Sequence, residues 1–299
     1  MIGRSLRLRA PAKINLGLRV LGVLDDGTHS VETIYQAVDL FDDVELALGG
    51  DGIRISVHGQ EREGVPESAE NLAARAAAAL LGALGSSAGV GIRLTKRIPV
   101  GSGLGGGSSD AAAVLYGLAL LVGRGVSPET VTAVAGTLGA DVPFFLRGAT
   151  AFGYHRGSNL LILPPLTDLP GLVVVPDVRV STFWAYNAWD LRRGAPASNS
   201  AGRPLRFNPD LEELARCRND FETIVFAKFP EIESVQRTLA EGQPVLARLS
   251  GTGAACFALY REASHRDAEA ERLHDVYRNR TGYGIFRVRL FSGGVEVLA

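Results

Sequence analysis

The sequence predicts an α+β protein of two domains, and three observations carry that expectation. Apolar residues alternate with polar ones through much of the first half, the signature of half-buried strands. Alanine- and leucine-rich runs of helical length separate and follow those strands. Residues 164–170 hold three prolines in seven positions, a natural junction near the middle of the chain. A length of 299 residues suits roughly two domains with a large buried core. The expected division is 1–165 and 166–299.

Taken in order, Leu6, Leu8 and Ala10 alternate with arginines, Pro11 is expected to interrupt the strand, and Ile14, Leu16, Leu18 and Val20 resume it. Val44, Leu46 and Leu48, then Ile53, Ile55 and Val57, repeat the period of two. Residues 71–84 read as a helix. Val90, Ile92 and Leu94 form a strand that runs into a glycine-rich loop, followed by a helix over 110–122. Ser127 and Pro128 supply the N-cap hydroxyl and first-turn proline of a further helix ending near Gly139. The second half predicts a strand at 171–176, helices within 181–191 and 209–242, and two strands flanking 251–253. A charged helix at 265–279 and a strand at 286–291 close the chain. Residues 194–204 read as a polar, mobile loop, and no repeat or low-complexity tract is found.

Apolar residues at 46% and charged residues at 21% are ordinary for a soluble globular protein. A net charge of −1 argues against nucleic-acid or membrane binding as the main activity. The first twenty residues alternate apolar and charged positions, so no signal peptide is expected. The most apolar stretch, 111–122, is too short to span a bilayer. Cys217 and Cys256 lack metal-ligand spacing and read as structural thiols of a reducing, cytoplasmic compartment. Among 31 basic residues only Lys13, Lys96 and Lys228 are lysines, so a lysine is an unusual choice in this chain.

The chemistry centres on Pro99, Val100, Gly101, Ser102, Gly103, Leu104, Gly105, Gly106, Gly107, Ser108 and Ser109, which join a strand to an apolar helix. Each glycine costs about 0.5–1 kcal/mol of folding entropy, so five in eleven positions need a reason beyond a turn. Close approach of the backbone to an anion supplies one, with the free N–H groups of the following helix aimed at the same point. The serine hydroxyls at the helix start can contact phosphate or a magnesium ion held by phosphate. Gly101, Gly103 and Gly106 satisfy a dinucleotide pattern, but no second strand with an acidic residue follows at the required distance. No Gly-Lys dipeptide exists, which excludes a Walker A loop.

The loop resembles that of the GHMP kinase superfamily, of the form P-x-G-x-G-L-G-x-S-S-A. Pro11-Ala-Lys-Ile-Asn15, Asp26-Gly-Thr-His29, Glu70-Asn-Leu72, the doubled Gly-Gly-Gly-Ser-Ser and Leu138-Gly-Ala-Asp-Val-Pro-Phe-Phe145 extend the resemblance. So do Asn219-Asp-Phe-Glu222 and Leu249-Ser-Gly-Thr-Gly-Ala254. Together these segments resemble the branch that phosphorylates a diphosphocytidyl-linked methylerythritol in the non-mevalonate isoprenoid route. The resemblance implies a ribosomal-protein-S5-like N-terminal domain, a ferredoxin-like C-terminal domain and a site in the cleft between them. It implies that Lys13 and Asp141 are the catalytic pair and that residues 101–109 wrap the phosphates of ATP. Asn71, Leu72 and Lys96 would border the adenine, His29 the cytosine end of the acceptor, and Asn15 its phosphate or erythritol portion. Gly251, Thr252 and Gly253 would close over the site. The implied partner is a small-molecule alcohol, with neither nucleic acid nor membrane, and the protein is expected to act as a monomer or homodimer.

The residues support part of this on their own. Asp is a common turn residue, but Asp141 precedes the apolar run Val142, Pro143, Phe144 and Phe145, and a rare lysine accompanies it. Asp141 is therefore expected to accept the proton of the acceptor hydroxyl, while Lys13 keeps it ionised and offsets developing charge. Tyr186 either stacks on a cytosine ring or packs in the core; Lys96 and Arg97 could also be a plain strand-end charge pair. His58, His265 and His274 form no metal constellation, so magnesium is expected only with ATP. Two departures from the family pattern fall at the acceptor end. Thr28 stands where a tyrosine is usual, and His155 and Ser158 stand where a glycine and a glutamate are usual. They keep open a different alcohol acceptor; a catalytically silent ATP-binding sensor is the third alternative, against which Lys13 and Asp141 argue.

Overall fold

The computed structural model describes residues 4–123, 125–166, 168–193 and 211–298. The polar loop expected at 194–204 lies outside them. The chain opens with a long antiparallel hairpin, β1 (Ser5–Val23) and β2 (His29–Leu48), paired along almost its full length. Pro11 does not interrupt β1, contrary to expectation. The register shifts between Pro11 and Ala12, and such a bulge accommodates a residue that cannot donate to the ladder.

Strand β3 (Ile53–Gly59) then pairs in parallel with β4 (Val90–Lys96) across helix α1 (Leu72–Ala83), which Asn71 caps by accepting from the Ala73 N–H at 2.9 Å. Helix α2 (Gly106–Val122) starts four residues earlier than expected, inside the glycine loop itself. It passes so close to the hairpin that a Cβ at Gly117 would lie 2.6 Å from Leu46 and 2.9 Å from Leu8. Helices α3 (Pro128–Leu138) and α4 (Val142–Arg147) follow, then the hairpin β5 (Thr150–Tyr154) and β6 (Asn159–Ile162) on the edge of β2.

The second sheet begins with β7 (Pro170–Val175). Helices α5 (Thr182–Arg193), α6 (Leu211–Arg216), α7 (Glu222–Lys228) and α8 (Pro230–Glu241) precede β8 (Leu246–Leu249) and β9 (Cys256–Leu259). Helix α9 (Ala263–Val276) leads to β10 (Gly284–Arg289), giving a four-stranded sheet in the order β10-β7-β9-β8. The closing strand β11 (Glu296–Leu298) returns to the first sheet beside β1, whose order is β11-β1-β2-β4-β3. Among the described residues no helix is long and apolar enough to cross a membrane.

The hairpin serves both halves. Leu8, Ala10, Val44 and Leu46 join the core under α1 to α4, whereas Ala12, Ile14 and Leu16 pack against Val173, Phe257 and Leu259 of the second sheet. A third core gathers β7 and β9 under α5, α7, α8 and α9. One strand therefore carries side chains from the first core, across the junction, to the cleft.

Candidate active site

A cleft opens where the hairpin, the glycine loop, α4, α5 and the turn after β8 meet. Lys13 and Asn15 are two apart on β1 and so share a face. The Lys13 ammonium, 4% exposed, donates to Asn15 Oδ1 at 2.6 Å and faces Asp141 Oδ2 at 3.7 Å. Asn15 cannot turn away, because its amide donates to Thr33 Oγ1 at 2.8 Å and the Thr33 hydroxyl donates to the Gly17 carbonyl at 2.8 Å. Burial pushes the Lys13 ammonium below its ordinary range, with Asp141 pulling the other way. Its backbone N–H donates to the Leu104 carbonyl at 2.9 Å, tying β1 to the glycine loop.

Asp141 occupies the N-cap position of the short helix α4, yet its side chain makes no capping bond and remains part-exposed to the cleft. The Tyr35 hydroxyl donates to its Oδ1 at 2.9 Å. Tyr35 was invisible to sequence reasoning: it lies 106 residues from Asp141 and in an ordinary strand pattern. Arg156, Thr182 and Phe221 also line the cleft without having been singled out. Arg156 pairs with Asp26, and Thr182 lies within hydrogen-bond reach of Thr252 at 3.2 Å between hydroxyls.

The glycine loop does its work with backbone. Gly103 has φ of 81°, and a Cβ there would lie 2.4 Å from the Ser250 carbonyl oxygen. Gly105, at φ of 76°, would press a Cβ to 2.7 Å from the Phe145 ring. Pro99, Val100, Gly101, Ser102, Gly103, Gly105, Gly106, Gly107 and Ser108 line the cleft. Two loop residues do not. Leu104 is buried in the junction core, and Ser109 is buried at the next helical position, with a hydroxyl that has no hydrogen-bond partner. Ser109 is turned away because α2 starts at Gly106 and successive residues of a helical turn face different ways.

Lys96 reaches the cleft wall but offers it no free charge. Its ammonium is buried between Asp42 and Asp110, the latter at 2.5 Å, while the residue still lines the same wall as Asn71 and Leu72. Burial alone would push Lys96 down, but the two carboxylates outweigh it and hold the ammonium above its ordinary range. Burial pushes the Asp110 carboxyl up to about 7 against the pull of Lys96. Asp42 also accepts from the Arg97 and Ile98 N–H groups at 2.5 and 2.9 Å, so the trio clamps both ends of the loop. Arg97 pairs with Asp43 at 2.6 Å on the surface. Asn71 and Leu72 line the same wall, with the Asn71 amide donating to the Pro66 carbonyl at 2.8 Å.

At the opposite end, Thr28 and His29 of the Asp26–His29 segment lie outside the cleft lining. Thr28 is exposed in a turn, its hydroxyl donating to Asp26 at 2.6 Å, and is not part of the cleft wall. His29 does not line the cleft either; it lies 2.9 Å from Asp190 and rests against the Tyr186 ring at 4.4 Å, so it anchors α5. Tyr186 packs edge-on against Phe221 at 4.9 Å and also lines the cleft, with burial pushing its phenol up to about 12. Gly251 and Thr252 line the cleft, but Gly253 turns inward against Leu249. Asn219 holds that turn by donating to the Leu249 and Gly251 carbonyls at 3.0 and 2.7 Å. His155 takes the left-handed φ of 61°, a conformation that accounts for a glycine at this position in the family pattern.

Comparison with known proteins agrees with this geometry. The family models for the N-terminal and C-terminal domains of GHMP kinases match residues 71–149 and 201–279. A protein of Solibacter usitatus named 4-diphosphocytidyl-2-C-methyl-D-erythritol kinase is 41% identical over 268 residues, covering 87% of this chain and 82% of its own. One of the same name from Geobacter sulfurreducens is 40% identical over 277 residues, covering 92% and 97%. A crystal structure of 4-(cytidine 5'-diphospho)-2C-methyl-D-erythritol kinase superposes with a TM-score of 0.72 at 36% identity, covering 96% of this chain and 100% of that one. The homoserine kinase of Cytophaga hutchinsonii superposes with a TM-score of 0.76 at 20% identity over 100% and 98% of the two chains, which shows a shared fold.

Proposed function

This chain belongs to the GHMP kinase family, and we propose that it transfers the γ-phosphoryl group of ATP to a hydroxyl of 4-diphosphocytidyl-2-C-methyl-D-erythritol. That makes it an ATP-dependent phosphotransferase of isoprenoid precursor synthesis. The observation that carries the reading is the Lys13–Asp141 pair, 3.7 Å apart, in the same cleft as the glycine loop. Phosphoryl transfer needs little covalent help from a protein; it needs positioning, charge stabilisation and a destination for the hydroxyl proton. The loop N–H groups and the N-terminal end of α2 hold the phosphates. Asp141 accepts the proton as the hydroxyl oxygen bonds to the γ-phosphorus and the bond to the β-phosphate oxygen breaks, releasing ADP. Lys13 favours the ionised carboxylate and offsets charge on the transferring group.

Magnesium bound with ATP would neutralise phosphate charge. The Ser108 hydroxyl, at the cleft wall in the first turn of α2, is placed to reach an ion held by phosphate oxygens. Tyr186, Phe221 and Arg156 form the acceptor end, where the aromatic rings suit a base and the guanidinium a phosphate. Both cysteines are free thiols, which fits a reducing cytoplasm.

A second reading, in which the alcohol carries a different head group, rests on Thr28 and His155 standing where the family pattern has a tyrosine and a glycine. ADP release measured against a panel of phosphorylated and nucleotide-linked alcohols decides between them. Turnover concentrated on the diphosphocytidyl compound supports the first reading. Turnover of another alcohol in its place establishes the second, and tight ATP binding without any turnover contradicts both.

A further inference from the structure

Asp141 belongs to α4, a helix of only six residues, and has no capping bond to fix its rotamer. A carboxylate that must meet a hydroxyl in one geometry needs another restraint, and β2 provides it. The Tyr35 ring is 3% exposed, lies stacked at 5.0 Å on Phe144 of α4 itself, and fits against the β5–β6 hairpin. A Cβ at Gly153 would lie 2.6 Å from that ring, and one at Gly157 would lie 2.9 Å from its hydroxyl. Both positions are glycine, and the phenol reaches through the gap to Asp141 Oδ1.

We propose that Tyr35 is a positioning residue for the phosphoryl transfer: its hydroxyl holds Asp141 Oδ1, leaving Oδ2 turned toward Lys13 and the acceptor hydroxyl. This inference rests on Asp141 being the base. Burial and the neighbouring carboxylate push the Tyr35 phenol well above its ordinary range, so it stays protonated and acts only as a donor. The groups facing Asp141 are Lys13 from β1, Tyr35 from β2 and Tyr186 from α5, with Arg156 of the β5–β6 hairpin in the same cleft. Of these, the Tyr35 hydroxyl donates to Oδ1 at 2.9 Å, while the Lys13 ammonium stands 3.7 Å from Oδ2.

The variant Tyr35→Phe keeps the ring on Phe144 and deletes the donor. Its kcat is expected to fall about tenfold with KM for ATP and thermal stability unchanged. Fluorotyrosine installed at position 35 keeps both the packing and a donor, so it should retain wild-type kcat. Wild-type kcat in Tyr35→Phe overturns the proposal, as does a loss confined to thermal stability or an equal loss in the fluorotyrosine protein. Asp141→Asn measured alongside separates the two ideas. If it keeps wild-type turnover, the base assignment fails; if it loses turnover while Tyr35→Phe matches wild type in kcat, only the role of Tyr35 fails.

Discussion

The two walls of the cleft are made of different materials. On the wall we assign to the donor, nine residues of one loop line the space, and three of them, Gly101, Gly103 and Gly105, are glycines at left-handed φ, two of them close against the Ser250 carbonyl and the Phe145 ring. On the wall we assign to the acceptor, Lys13, Asn15, Tyr35, Asp141, Arg156 and Tyr186 come from five separate stretches of chain and contribute side chains. A phosphate chain is the same in every nucleotide and can be held by invariant amides. An alcohol must be told apart from others, and that takes side chains. The walls also differ in how they are braced. A buried charge trio, Lys96 with Asp42 and Asp110, fixes the first, whereas neutral hydrogen-bond donors and aromatic packing hold much of the second.

That division can be broken from either side. Lys13→Met removes a cation from the acceptor wall and should lower kcat about a hundredfold to a thousandfold while ATP affinity, read by calorimetry, stays put. Lys96→Met should do the reverse in kind. It leaves two carboxylates buried together, so a loss of about 3–5 kcal/mol in denaturant unfolding is expected, with the loop failing before the chemistry does. Gly103→Ala forces a Cβ toward the Ser250 carbonyl oxygen at an unfavourable φ; a cost of about 1–3 kcal/mol and weaker ATP binding with a preserved acceptor KM are expected. Thr28→Ala, in an exposed turn away from both walls, should stay within about 0.5 kcal/mol of wild type and leave kcat/KM for the acceptor unchanged. A large effect there would relocate the acceptor wall.

The same contrast explains what the sequence could tell. Glycine density marks the donor loop because backbone requirements are local, and five glycines in eleven residues have few other uses. Many strand and helix positions were legible for the same local reason, down to the Ser127 cap and Asn71 at the start of α1, whereas the first half of β2 and the short elements α4, β5, β6 and β11 were not. Pro11 misled because a bulge, a tertiary feature, absorbed it. The acceptor wall depends on contacts 106 to 161 residues apart, such as Tyr35 with Asp141 and His29 with Asp190. No periodicity encodes those. Nor does any local pattern reveal that His29 meets Asp190 of α5, or that two carboxylates engage the Lys96 ammonium.

The central claim is that one wall binds the donor and the other performs the transfer. Asp141→Asn tests it most directly, with ATP affinity and turnover of 4-diphosphocytidyl-2-C-methyl-D-erythritol measured on the same preparation. ATP binding equal to wild type together with a loss of turnover of about 10²- to 10⁴-fold is the predicted result. Undiminished turnover, or ATP affinity that falls in step with turnover, would contradict it.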